Sequence, residues 1–225
     1  MITDIHTHNL NAPNALICVE PSEFAPSEGK LYAVGIHPWH AAAGLTAEVE
    51  RLKAIATHPQ VAAIGETGLD SRRGASLHTQ TELFLQHIAI AEQVGKPLIV
   101  HMVRTSQEVL KLWCASQKSV PWVIHGMRGN PNVARKLIDA GFYFSFGARF
   151  NPDTLKAVPT DKILAETDDG TQNIGDVIAA IAATLGISPQ KAETLVSRNA
   201  ATLLQLLVRL KGTKTGRNGE ISAAP

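Results

Sequence analysis

The chain has 225 residues, enough to bury one sizeable core, and 21 Lys+Arg against 20 Asp+Glu leave a formal net charge of +1. That balance excludes a globally basic surface of the kind that drives nonspecific nucleic-acid binding, so an anionic partner has to be met locally. No stretch reaches about 18 apolar residues, and no charged leader precedes an apolar run at the N-terminus. The two cysteines, Cys18 and Cys114, therefore read as reduced thiols rather than a disulfide framework. The expectation is a cytoplasmic protein with no membrane association and no obligate protein partner.

The first predicted strand, Ile2–His8, carries DIHTH and is followed by strands at Ala15–Val19 and Leu31–His37. The connections Asn9–Asn14 and Glu20–Lys30 are too short and too rich in Pro and Ser to hold full crossover helices. From there strand and helix alternate. Helix Thr46–Thr57 precedes strand Ala62–Glu66, helix Thr79–Val94 precedes strand Leu98–Met102, and helix Ser106–Gln117 precedes strand Trp122–Gly126. Helix Asn132–Ala140, strands Phe142–Gly147 and Ile163–Thr167, and helices Gly175–Leu185, Pro189–Ser197 and Ala200–Leu210 complete the series.

Most of these strands are continuous apolar runs, the pattern of strands buried on both faces of a parallel sheet. Strand alternating with helix predicts an α/β fold. Eight strands without a GxGxxG turn favour a closed (β/α)8 TIM barrel, with shortened first crossovers, over an open dinucleotide-binding sheet. One domain is expected over residues 1–210, and a disordered polar tail over 211–225.

Successive strand residues point to opposite faces, so His6 and His8 share one. Glu66, His101, His125 and Asp168 each stand at the end of a further predicted strand. In a barrel those ends converge on the face where active sites of this architecture lie. Four imidazoles and two carboxylates gathered there suit a divalent cation, either zinc or a harder ion such as manganese or magnesium. Separate hydrogen bonding of each group at the rim is the alternative, disfavoured because uncompensated buried charge is costly. His37, in GIHPWH, is a candidate ligand, proton donor or substrate contact, and His40 reads as exposed. Asp4 either orients an imidazole or makes a deeper polar contact. His58, His78 and His87 fall away from strand ends and are given no role.

Arginine follows four successive strands: Arg72 and Arg73 after GETGLD, then Arg104, Arg128 and Arg149. Its planar fork suits phosphate oxygens, which favours a phosphate-bearing substrate over a neutral amide.

With these residues in place, the chain resembles the TatD family of metal-dependent hydrolases, related to the amidohydrolase barrels. The matching motifs are DIHTH at 4–8, VGIHP at 34–38, AIGETGLD at 63–70, QTELFLQHIAIA from Gln80 and KPLIVH at 96–101. WVIHGMRG from Trp122, GFYFSFG at 141–147, ILAETD at 163–168 and RNAATLL at 198–204 continue the order. The resemblance implies that His6, His8, Glu66 and Asp168 hold one metal and that Glu66, His101 and His125 hold a second, Glu66 bridging. It also implies deoxyribonuclease activity, often from the 3′ end. The chain departs from the family pattern at Gly126-Met127-Arg128-Gly129, at Arg104 and in the shortened connection between the second and third strands.

The mechanism expected is phosphoester hydrolysis with two divalent ions (Zn, Mg or Mn) about 4 Å apart that activate a water. Asp168 would orient or deprotonate that water, Glu66 would fix the metal separation, and His37 would donate a proton to the leaving oxygen. Arg72, Arg104 and Arg128 would hold flanking phosphates of a DNA 3′ end or a nucleotide-like molecule. An amidohydrolase or deaminase acting on a small cyclic amide or nucleobase is the rival enzyme, disfavoured because no lysine ends the fourth strand. A noncatalytic metal-binding homologue is the rival from another class.

Overall fold

The structure, a computed structural model, describes residues 1–42 and 44–205. Among these, the strands are β1 (Asp4–Thr7), β2 (Ala15–Val19), β3 (Leu31–Val34), β4 (Val61–Asp70), β5 (Leu98–Val103), β6 (Trp122–Ile124), β7 (Tyr143–Phe146) and β8 (Ile163–Ala165). They form a single parallel sheet in sequence order. The last strand returns to the first just beyond its end. Asp168 N donates to His6 O at 2.9 Å and His8 N to Asp168 O at 3.1 Å, with Thr7 bridging Asp168 in parallel. This is the expected TIM barrel.

The helices are α1 (Thr46–Ile55), α2 (Leu77–Val94), α3 (Ser106–Ala115), α4 (Pro131–Asp139), α5 (Pro152–Ala157), α6 (Ile174–Leu185) and α7 (Pro189–Leu203). Side-chain caps at Ser76, Asn130, Asn151, Asn173 and Ser188 start five of them by accepting backbone N–H groups that have no partner in the helix. The first two crossovers are short, as expected. No helix lies between β1 and β2, and only a 3-10 turn at Pro21–Glu23 lies between β2 and β3.

Three details differ from the sequence-based expectation. β4 continues past Glu66 to Asp70, because all of Val61–Asp70 is buried and pairs on with β5. α5 was not anticipated; it is a six-residue helix started by the Asn151 cap and Pro152. α7 runs unbroken through the junction expected to separate two helices. Asn199, which could have broken it, instead donates its side-chain amide to Thr160 O and Ile163 O, each at 2.8 Å. The last residues of the expected helix Ala200–Leu210, and the tail 211–225, lie outside the described residues.

One core cluster packs Ile5, Leu16, Ala33, Ile99, Val123 and Leu164, from six strands, against Ala200 and Leu203 of α7. A larger one joins the strands to the surrounding helices through Phe84, Trp122, Phe142, Leu52, Ile181 and Val196. Fully burying an aliphatic or aromatic side chain contributes about 1.5–3 kcal/mol, so these layers fix the strand ends rigidly. Among the described residues no helix is long and apolar enough to cross a membrane.

Candidate metal centre

Two bulges aim the first candidate ligands. Asp4 pairs with Ala15 and Thr7 with Ile17, so β1 carries one residue more than β2 across the interval containing His6. Ile64 pairs with Leu98 and Thr67 with Val100, which places a second extra residue at Gly65-Glu66. An extra residue bends its strand and redirects a side chain, and here both bulges turn polar groups toward the mouth of the barrel. The end of β3 passes so close to β4 that a Cβ on Gly35 would lie 2.6 Å from Gly65 Cα and 2.7 Å from Glu66 O. Only glycine fits there.

Two side chains from α2 hold the loops that follow. Gln80 accepts the Asp70 N–H at 2.7 Å and donates to Asp70 O, Arg73 O and Ala75 O at 2.8–3.0 Å. His87, given no role from the sequence, is fully buried; its Nε2 accepts the Ile36 N–H at 2.9 Å, one residue before His37.

At the centre lies Glu66. Its Oε2 is 3.3 Å from Nε2 of both His6 and His8, and Asp168 Oδ1 is 3.3 Å from His6 Nε2 and 3.8 Å from His8 Nε2. Its Oε1 is 2.8 Å from His101 Nδ1, 2.8 Å from His125 Nε2 and 3.0 Å from His37 Nε2. All six residues expected to ligate are thus brought together, and His37 joins them. His8 is the exposed member, with 45 % of its side chain accessible, whereas His6 is fully buried.

Each buried imidazole has a group behind it, an arrangement that orients metal ligands. Asp70 Oδ2 is 3.3 Å from His101 Nε2, Cys18 Sγ is 2.9 Å from His6 Nδ1, and Glu166 Oε1 is 3.7 Å from His125 Nδ1. Ser145 in turn donates to Glu166. None of Asp70, Cys18 and Glu166 was singled out from the sequence. The signal for Asp70 was the apolar run continuing through TGLD; a buried cysteine on a neighbouring strand gives no signal of its own. Asp4 does not touch an imidazole. It accepts His6 N at 3.3 Å, Thr167 N at 3.1 Å and Thr167 Oγ1 at 2.6 Å, clamping β1 to the end of β8, which is the deeper polar contact of the two alternatives.

The electrostatics follow from this crowding. Burial would raise the Glu66 carboxyl, but the His125 and His6 charges and the hydrogen bonds of His101 and His125 hold it well below its ordinary range. Asp168 is likewise held at about 2, burial being outweighed by His6. Burial opposes a charge on His125, yet Glu66 carries its pKa to about 9. His37 is lowered, chiefly by burial. Its Nδ1 accepts the Trp39 N–H at 3.1 Å, so the neutral ring keeps its proton on Nε2, facing Glu66. Burial chiefly, with the Glu166 charge, pushes Asp4 up to about 6 against the hydrogen bonds from Thr167 and His6.

These donors fit divalent cations. His6 Nε2 is buried, lies between two carboxylate oxygens and has no aligned hydrogen-bond partner. Three ring nitrogens converge on the single oxygen Glu66 Oε1. A buried and a half-buried carboxylate among imidazoles need positive charge, which protons or a cation can supply, and His6, His8 and Asp168 or His37, Glu66 and His101 lie close enough together to ligate one.

The arginines stand apart. Arg72, Arg104 and Arg128 are all exposed, and none lines the cavity of about 380 Å³ above the cluster. Arg73 instead lies 3.8 Å over the Trp39 ring, whose Nε1 donates to Asp70 at 2.6 Å. His40 is exposed, 2.9 Å from Glu20.

Residues 21–205 match the family described as TatD related DNase. An uncharacterized metal-dependent hydrolase, TatD, from Mycobacterium tuberculosis (strain ATCC 25618 / H37Rv) is 32% identical over 149 residues, 60% of this chain and 56% of the relative. YabD of Bacillus subtilis (strain 168), also an uncharacterized metal-dependent hydrolase, is 32% identical over 60% of this chain and 57% of its own length. A protein named 3′-5′ ssDNA/RNA exonuclease TatD, from Musicola paradisiaca (strain Ech703), is 29% identical over 60% of this chain and 54% of its own. The matches thus span little more than half the length of these relatives. The crystal structure of YjjV, a TatD homologue from Escherichia coli K12, superposes with a TM-score of 0.76 at 19% identity, covering 90% of this chain and 97% of that one.

Proposed function

The chain belongs to the TatD-related DNase family, and on that premise we propose that it is a divalent-metal-dependent hydrolase that cleaves phosphodiesters at a DNA 3′ end or in a nucleotide-like molecule. The observation that carries this reading is Glu66, whose two oxygens face two separate donor sets. His6, His8 and Asp168 beside Oε2 would hold one ion, and His101 and His125 beside Oε1 a second, with Glu66 shared. Zinc, magnesium and manganese all accept such donors. Bound there, the ions supply Lewis-acid polarisation of a phosphoryl oxygen and a lowered pKa for the attacking water.

The remaining work falls to side chains. Asp168, at the open end of the cluster, orients the attacking water and takes its proton. Glu66 fixes the spacing of the two donor sets. His37 presents its Nε2–H to the leaving oxygen. Arg72, Arg104 and Arg128, on the loops outside the cavity, hold the phosphates that flank the reacting one. A carboxylate rather than a lysine stands between the two donor sets, which favours this reading over the amidohydrolase or deaminase alternative.

The test is to strip the protein of metal, reload it with one ion at a time, and assay a labelled single-stranded oligonucleotide and a generic phosphodiester. Metal-dependent cleavage is expected. Cleavage of neither with any ion, combined with hydrolysis of a cyclic amide or a nucleobase amine, would overturn the proposal in favour of the amidohydrolase reading.

A further inference from the structure

Five carboxylates line the cavity, those of Glu20, Glu23, Glu66, Asp168 and Asp169, and among the described residues no lysine or arginine does. Glu66 and Asp168 are matched by the imidazoles at its floor. Glu20 and Glu23 belong to the wall, on the 3-10 turn after β2. Glu23 Oε2 accepts the Glu20 N–H at 3.2 Å, and Glu20 Oε1 accepts the His37 N–H at 3.0 Å. The turn is therefore held by its own acids. Trp39, 39% exposed, lines the same cavity and offers a flat apolar surface.

Resting on the phosphodiesterase reading above, we propose that this acid-walled cavity receives the terminal nucleoside of the substrate with a free 3′-hydroxyl, and that it rejects a 3′-phosphate. About 380 Å³ is near the small end of ligand cavities, which run from roughly 300 to 1,000 Å³, and suits one nucleoside rather than a strand. The reacting phosphate would lie at the cations that Glu66, Asp168 and their imidazoles hold at the floor of the cavity, since the carboxylates alone would repel it. The arm beyond that phosphate then meets Glu20 and Glu23, while the rest of the strand leaves past the arginine-bearing loops. A hydroxyl donates a hydrogen bond to a carboxylate. A terminal phosphate has almost nothing to donate, and it brings negative charge against the Glu20 and Glu23 carboxylates, where the His40 ring lies 2.9 Å from Glu20 and no lysine or arginine among the described residues stands to offset it, in a cleft where like charges repel more strongly than in open water.

The experiment compares two 5′-labelled single-stranded oligonucleotides that differ only in a 3′-hydroxyl or a 3′-phosphate, cleaved by the manganese-loaded protein. The 3′-phosphate should lower kcat/KM at least about tenfold, mostly through KM. Glu23→Gln, which keeps an acceptor for the Glu20 N–H, should narrow that gap about threefold or more. Equilibrium dialysis provides a readout without turnover: thymidine 3′,5′-bisphosphate should bind at least about tenfold more weakly than thymidine 5′-phosphate. Equal cleavage of the two ends, equal binding of the two nucleotides, or a gap that Glu23→Gln leaves unchanged overturns the proposal and leaves the phosphodiesterase reading standing. Cleavage of neither oligonucleotide with any ion removes that reading instead, and dialysis alone then decides whether the cavity discriminates against the second phosphate.

Discussion

Asp70 stands behind His101, its Oδ2 3.3 Å from His101 Nε2 while the same oxygen accepts the Trp39 indole N–H at 2.6 Å. With an ion bound, an Nε2–H turned toward Asp70 would leave the His101 Nδ1 lone pair free to ligate it on the Glu66 side of the site. Replacing the carboxylate removes the group that sets both tautomer and ring angle. Asp70→Asn is expected to lower metal affinity about 10–100-fold while the protein stays folded, measured by titration against a competing chelator alongside circular dichroism. Unchanged affinity would mean that packing alone orients His101.

Cys18 plays the corresponding part for His6 through a thiol, which burial pushes up and so keeps protonated. Cys18→Ala leaves His6 Nδ1 without its partner, and metal affinity should fall about tenfold; Cys18→Ser, which keeps a donor and acceptor, should recover most of it. The same chelator titration reads both variants, and equal affinity in Ala and Ser would remove the orienting role.

Burial lowers His87 to about 4 from an ordinary value near 6.5, and the neutral ring ties α2 to Ile36 beside His37. The unfolded chain takes up this proton below about pH 6.5 and the folded one only near 4. The stability that the neutral ring contributes is therefore complete above pH 6.5 and drains away as the pH falls toward 4, by about 3 kcal/mol in all. Urea denaturation at pH 7.5, 6 and 5 should show that slope, and His87→Gln, which cannot titrate, should flatten it. A wild-type slope retained in the variant would assign the effect to other groups.

Leu203 closes the barrel interior from α7 and is almost fully buried against the strand core. Leu203→Ala should cost about 2–5 kcal/mol in denaturant unfolding yet leave metal affinity within about twofold, since the ligands sit at the other strand ends. A large loss of affinity would tie the site to the floor of the barrel.

The barrel was legible because its strands are uninterrupted apolar runs, and the candidate ligand set was legible because His101, His125, Glu66 and Asp168 each follow such a run. Two features were hidden because they depend on register between strands. The bulges at His6 and Glu66 become visible only when β1 is laid against β2 and β4 against β5. Cys18 and Glu166 approach the far nitrogens of His6 and His125 from other strands, a proximity that linear spacing does not encode. The arginines are a different case. Strand order places Arg72, Arg104 and Arg128 on the correct end of the barrel, but whether an exposed loop side chain turns inward depends on loop conformation, and none of the three lines the cavity.

The most direct test of the account is the metal content of Glu66→Gln beside that of the wild-type protein, by elemental analysis after reloading with zinc or manganese and exhaustive dialysis. Because one carboxylate faces both donor sets, the account predicts about two ions per wild-type chain and at most one, weakly held, in the variant. Two tightly held ions in Glu66→Gln, or none in the wild type, would contradict it.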